Sequence, residues 1–202
     1  MGVFDNFKEV NGKIVNNQWI EWVHFNIPNE EDWQRALMQA ILRILGCCDS
    51  CVVLDGCYFV KWNMPKNPVP NSDGLLHPNC HCIAKDIPFS MVKFKATALC
   101  SIRKFTEYAF RDDGKDKGKK EIYTKDLGYS IEDSDYLKDT FEKQALQQYL
   151  LGNYKLKDLD DKGQRLAIPV KLNGKKIYTG WVLHPEGLII NATIFAGWVD
   201  EK

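Results

Sequence analysis

The chain has no excess of either charge. Lys plus Arg and Asp plus Glu each number 27 in 202 residues, for a formal net charge of zero. That balance supplies no long-range attraction to nucleic acid or to an anionic membrane, and leaves RNA as a partner only through a local basic face. No apolar run reaches the ~18 residues that a membrane-spanning helix requires, so no membrane partner is expected. The opening MGVFDNFKEVNGK lacks the basic-then-apolar order of a secretion leader. Asn6 stands where a myristoylation signal carries Ser or Thr. A reducing cytoplasm is therefore the expected compartment. There is no internal repeat and no low-complexity tract.

Seven cysteines are present, an odd number that suits a fully disulfide-bonded protein poorly. Cys47, Cys48, Cys51, Cys80 and Cys82 gather in two short clusters. Short internal spacing is the pattern of metal ligation. Cys48 and Cys51 stand two residues apart in CCDSC, and His77 and Cys80 repeat that spacing in HPNCHC, with Cys82 a further candidate. Cys48, Cys51, His77 and one of Cys80 and Cys82 make a four-ligand structural Zn2+ site with no open position for water. His81 alternates with the cysteines beside it and is expected to point away. Cys47, Cys57 and Cys100 are expected to be packing residues, and reduced, buried cysteines are the plain alternative for the whole set.

The chain reads as α+β in two domains, residues 1–90 and 91–202. QWIEWVHF suggests a strand. Residues 29–46 suggest a helix, with Asn29 as N-cap, Glu30, Glu31 and Asp32 in its first turn, and an apolar face of Trp33, Leu37, Ala40, Ile41 and Ile44. NMPKNPVPNSDG is a loop by composition. In the second domain KATALCSIRKFTEYAF suggests a helix and RDDGKDKGKK a solvated loop. A second helix starts near Ser130–Ser134 and stops at Gly152-Asn153. RLAIPVKL, KKIYTGWVL and LIINATIFAGW then suggest a three-stranded antiparallel meander. Asn173-Gly174 is its first turn and HPEG its second, with Pro169 marking an edge or a bulge.

CDSC, LDG at Leu54–Gly56 and GLLHPNCHC, in this order, resemble the C-terminal signature of the Mu F-like head-morphogenesis (minor head) proteins of phages. The resemblance covers roughly residues 45–85 and implies a structural metal clip at the residues named above. That family's long helical region ahead of the cysteines has no counterpart of similar length here, so only the clip carries over. IRKFTEYAF, GKKEIYTKDLGYSIEDSDYLKD and RLAIPVKLNGKKIYTGWVL are similar to small C-terminal domains found on phage proteins and polymorphic toxins. The order helix, helix, antiparallel strands also resembles the barnase, EndoU, colicin and RelE ribonucleases in fold pattern.

Three functions are compatible with these residues. One is a phage-derived zinc-binding interaction protein with a protein partner, either a minor virion component or a binder of a host factor in the bacterial cytoplasm. Another is a metal-independent ribonuclease toxin, for which His184, Arg165 and Lys119 are the candidate catalytic residues. Lys104, Lys120, Thr179 and Thr193 are further usable groups. The plain alternative for His184 is a solvated turn residue, for Arg165 a surface ion pair, and for the lysines solvation. The third is an inhibitor of a bacterial defence system. The second half has no Gly-rich phosphate loop, no Ser/His/Asp arrangement and no paired-carboxylate signature, and the balance favours interaction over enzymology.

Overall fold

The computed structural model describes residues 9–10, 13–14, 19–23, 37, 49–65, 83–111 and 117–199. The architecture is α+β. Residues β1 (Glu9–Val10) and β2 (Lys13–Ile14) form a two-residue antiparallel ladder. A three-stranded antiparallel sheet follows in the order β4-β3-β5, from β3 (Trp19–Val23), β4 (Tyr58–Val60) and β5 (Ile83–Ile87). Helix α1 (Asp49–Leu54) leads into β4. The helix expected over 29–46 lies outside the described residues except for Leu37, which is helical and exposed.

The meander is present within a larger sheet of five strands, ordered β6-β10-β9-β8-β7. Its members are β6 (Thr97–Leu99), β7 (Lys155–Asp160), β8 (Gly163–Leu172), β9 (Lys175–Leu183) and β10 (Leu188–Trp198). All neighbours are antiparallel except β6, which runs parallel to β10. Asn173 and Gly174 both have positive φ, 44° and 81°, the backbone that a two-residue hairpin turn demands. Pro169 sits on β8 beyond the last β7 pair, Lys155 with Ala167. Two residues on, the Lys171 amide donates to Gln144 Oε1 at 2.8 Å, and Gln144 Nε2 donates to the Lys171 carbonyl at 2.9 Å. Amides two apart on a strand point the same way. β8 is neither the edge strand expected nor bulged at Pro169, but Pro169 lacks its N–H on the one side of β8 where no strand asks for it.

Helix α4 (Ser134–Leu150) starts and stops where the sequence placed it. Asp133 accepts from the Ser130 backbone amide at 2.8 Å and from its hydroxyl at 3.1 Å. Leu137, Phe141, Ala145 and Tyr149 recur every four residues and are buried, the stripe of one helix face. Gly152 ends the helix at φ +68°.

Two expected elements differ. KATALCSIRKFTEYAF is not one helix. After α2 (Phe89–Lys95) the chain extends at Ala96, ψ 136°, and Thr97–Leu99 pairs with β10. Only Lys104–Ala109 then coils, as a wide turn in which the Phe110 amide reaches back five residues to Phe105. The pairing offered by β10 outweighs local helix propensity. The charged loop is shorter than expected, because α3 (Lys117–Glu121) and a second wide turn, Ile122–Asp126, take up its end despite Gly118. Tyr123 explains this: it is fully buried, its ring meets Phe105 and Phe110 edge-on, and its hydroxyl donates to the Ile194 carbonyl at 3.0 Å.

One hydrophobic cluster runs from Trp19 to Ile194 and includes residues on both sides of position 90. Tyr149 meets Trp19 edge-on at 5.4 Å and donates its hydroxyl to the Tyr58 carbonyl at 2.6 Å. Asn63 Nδ2 donates to the Tyr154 carbonyl at 2.6 Å. The smaller sheet thus packs on the C-terminal end of α4.

Candidate functional site

His184 follows directly on β9, the strand after the Asn173-Gly174 hairpin. Its backbone amide donates to the Leu188 carbonyl at 2.8 Å, closing a turn in which Glu186 and Gly187 take positive φ. The Glu186 amide donates at 2.8 Å to the carbonyl of Gly56, just past α1, and its carboxylate pairs with Lys95. The turn is thereby tied to the end of α1, and a cleft of about 550 Å³ opens between them. Val52, Val53, Val182 and Ile190 supply apolar wall; Asp55, Asp161, Lys162 and His184 supply polar groups. Asp55 is almost completely buried. His184 is half-buried rather than a solvated turn residue, and desolvation holds its imidazole below the ordinary pKa, so the neutral, proton-accepting form prevails at neutral pH.

Arg165 lies on the same sheet face as the cleft, since it pairs with Val182. Its Nε and Nη2 both reach Asp160 Oδ2, at 2.9 and 2.8 Å, an ion pair that leans the guanidinium on the β7–β8 turn. Lys119 is elsewhere. It belongs to α3, whose following turn is held to the Asn173-Gly174 hairpin by Asn173 Nδ2 donating to the Leu127 carbonyl at 2.6 Å. That hairpin is the far end of β8 and β9, and ten residues of β8 at ~3.3 Å each put roughly 30 Å between the two ends. The sheet brings His184 and Arg165 to one end and leaves Lys119 at the other. Of the further groups, Thr179 is fully buried, donating to the Ile168 carbonyl at 2.8 Å and accepting from Trp181 Nε1 at 2.8 Å. Lys104 donates to the Ala192 carbonyl at 2.7 Å, and the Thr193 hydroxyl donates to the Phe195 carbonyl at 3.2 Å.

Of the metal candidates, Cys48, His77, Cys80 and Cys82 lie outside the described residues, as does His81. Cys51 is described: it sits in α1, fully buried. Among the described residues no three His, Cys, Asp or Glu side chains cluster as metal ligands. The backbone around the two cysteine segments is informative. Gly56 donates to the Trp22 carbonyl at 2.7 Å and Trp22 to the Cys57 carbonyl at 2.9 Å. Ile83, directly after Cys82, opens β5 opposite Val23. Both segments meet β3 at the same end. Cys57 and Cys100 are buried, and burial raises both thiols, Cys57 far above the usual range and Cys100 to about 12, as suits packing residues.

The cleft itself was not read from the sequence. Asp55 was visible only as part of LDG, and Asp161 and Lys162 only as polar residues before Gly163. What joins them is the packing of α1 against β7 and β8. No helix among the described residues is long and apolar enough to cross a membrane. Comparison with family models, with curated proteins and with solved structures finds no match to this chain.

Proposed function

We propose that this chain is a zinc-clipped interaction protein of phage origin, a minor virion component or a binder of a host factor. The observation that supports the clip is that the turn just past α1, at Gly56 and Cys57, and the strand entered directly from HPNCHC both meet β3 at its Trp22–Val23 end. A four-ligand site would require the CCDSC and HPNCHC segments to come together near that end. In this reading Cys48, Cys51, His77 and Cys80 or Cys82 hold the metal, which has no catalytic part. Phage origin is supported by the resemblance of CDSC, LDG and HPNCHC to the minor head signature. Metal analysis of purified full chain tests the clip: about one zinc per chain is expected for wild type and for Cys100→Ser, and a loss for Cys51→Ser. Zinc-free wild type, or equal zinc in all three proteins, would overturn it.

A second reading, a ribonuclease toxin, is favoured by one observation, the half-buried imidazole of His184 lining a cleft at the end of the sheet that also carries Arg165. Incubating the full chain with total RNA separates the two. Intact RNA supports interaction; discrete fragments abolished by His184→Ala support the toxin.

A further inference from the structure

We propose that the cleft between α1 and the His184 turn binds a small organic cation, a primary amine carrying an apolar group. The inference goes beyond the zinc-clipped interaction reading and does not depend on the metal.

The walls set the apolar part of the ligand. Val182 and Ile190 are register partners on β9 and β10, so their side chains stand side by side on one face of the sheet. Val52 and Val53 of α1 supply further apolar wall. The volume of about 550 Å³ falls within the ~300–1,000 Å³ of small-molecule sites, which are lined in the same way by apolar side chains and a few polar groups.

Asp55 sets the charge. Only 2 % of this residue is exposed, yet it lines the cleft. It directly follows Leu54, the last residue of α1, at the helix end where the carbonyls contribute partial negative charge. A buried carboxylate at that end stands where negative charge is least favoured, and an arriving cation relieves it. Cys57 feels the same field: burial first, and the charge of Asp55 second, hold its thiol far above the usual range. A carboxylate offers about four acceptor positions, so Asp55 can take a ligand ammonium beside the contacts it makes in the fold. Asp161 and Lys162, also lining the cleft, are exposed neighbours of opposite sign. Arg165 shares the sheet face, but its guanidinium is bound to Asp160. His184 is half-buried and neutral at neutral pH, so it adds an acceptor and no charge. A phosphate entering the cleft would meet Asp55 and Asp161 as well as Lys162. An ammonium meets Asp55 and the imidazole as acceptors, which is why the cleft suits a cation.

The test is a titration of the nitrogen-15-labelled full chain with phenethylamine at neutral pH, read from the amide shifts. Saturable shifts are expected at Val52, Val53, Asp55, Val182 and His184, with a Kd on the order of 1 mM for so small a ligand. Phenethyl alcohol, the neutral isostere, and hydrocinnamate, an anion of similar size, should each bind wild type at least about tenfold more weakly. Asp55→Asn should weaken phenethylamine about tenfold, and Asp161→Asn by about twofold or less. The comparison of amine with alcohol uses wild type alone and decides the matter even where Asp55→Asn fails to fold. Absence of saturable shifts up to ~10 mM amine overturns the proposal, as it would if the cleft were already filled. So do shifts confined to residues outside the cleft, an alcohol or anion that binds as tightly as the amine, or a folded Asp55→Asn chain that binds like wild type. Uridine monophosphate shifting the same amides at lower concentration than the amine would also overturn it, and would turn the cleft to the ribonuclease reading.

Discussion

Gly152 and Gly174 offer a matched pair of substitutions that measures how firmly the two sheets are joined. Both residues sit at positive φ, +68° and +81°. Alanine at either position carries the left-handed backbone cost of about 1–2 kcal/mol. At Gly174 an added Cβ meets nothing within 4 Å. At Gly152 it lands 2.8 Å from Val60 Cγ1, at the end of β4 in the smaller sheet, and 3.1 Å from Trp62, two residues on. Overpacking of that kind costs a further ~1–3 kcal/mol. Urea unfolding should therefore place Gly152→Ala about 1–3 kcal/mol below Gly174→Ala, with the two halves still unfolding in one transition. At ~2–4 °C per kcal/mol the gap is also visible in thermal melts. Equal losses for the two variants would refute the close docking of the end of α4 against β4.

Other outcomes follow from single contacts. Tyr149→Phe deletes the hydroxyl bonded to the Tyr58 carbonyl at 2.6 Å and should cost about 1–3 kcal/mol of unfolding free energy; an unchanged urea midpoint would contradict that bond. Gln144→Ala releases both amide contacts to Lys171, each solvent-exposed, and should cost about 1 kcal/mol or less, with hydrogen exchange at the Lys171 amide accelerated; unchanged exchange would contradict the arrangement. His184 has a folded-state pKa held below its unfolded value, so the unfolded chain binds more protons and stability is lost as pH falls below the ordinary imidazole range, ~6.5. His184→Gln should flatten the fall in urea midpoint between about pH 7 and pH 5; identical profiles would show that the imidazole is not desolvated.

Elements with a strong local signature were legible from the sequence. The hairpin at Asn173-Gly174, the helix opened by Ser130 and Asp133 and closed by Gly152, and the strands KKIYTGWVL and LIINATIFAGW all carry their own turn or cap chemistry. What failed to show was set by distant partners. Thr97–Leu99 becomes a strand only because β10 leaves an edge beside it, and Lys117–Asp126 coils because Tyr123 finds a buried place between Phe105, Phe110 and β10. KLKDLD became β7 although its alternation is weak, because β8 pairs with it. His184 looked solvated since nothing near it in sequence announces the cleft; α1 covers it from more than a hundred residues away.

The most direct measurement on the central claim is thermal unfolding of the full chain before and after treatment with a strong zinc chelator, with zinc content measured in both samples. A structural clip that fixes the strands around β3 should stabilise the shared core, so chelation is expected to remove the metal and lower the melting temperature by several degrees. A preparation that holds zinc, loses it to the chelator and melts unchanged would contradict the structural role, and one that never held zinc would contradict the clip itself.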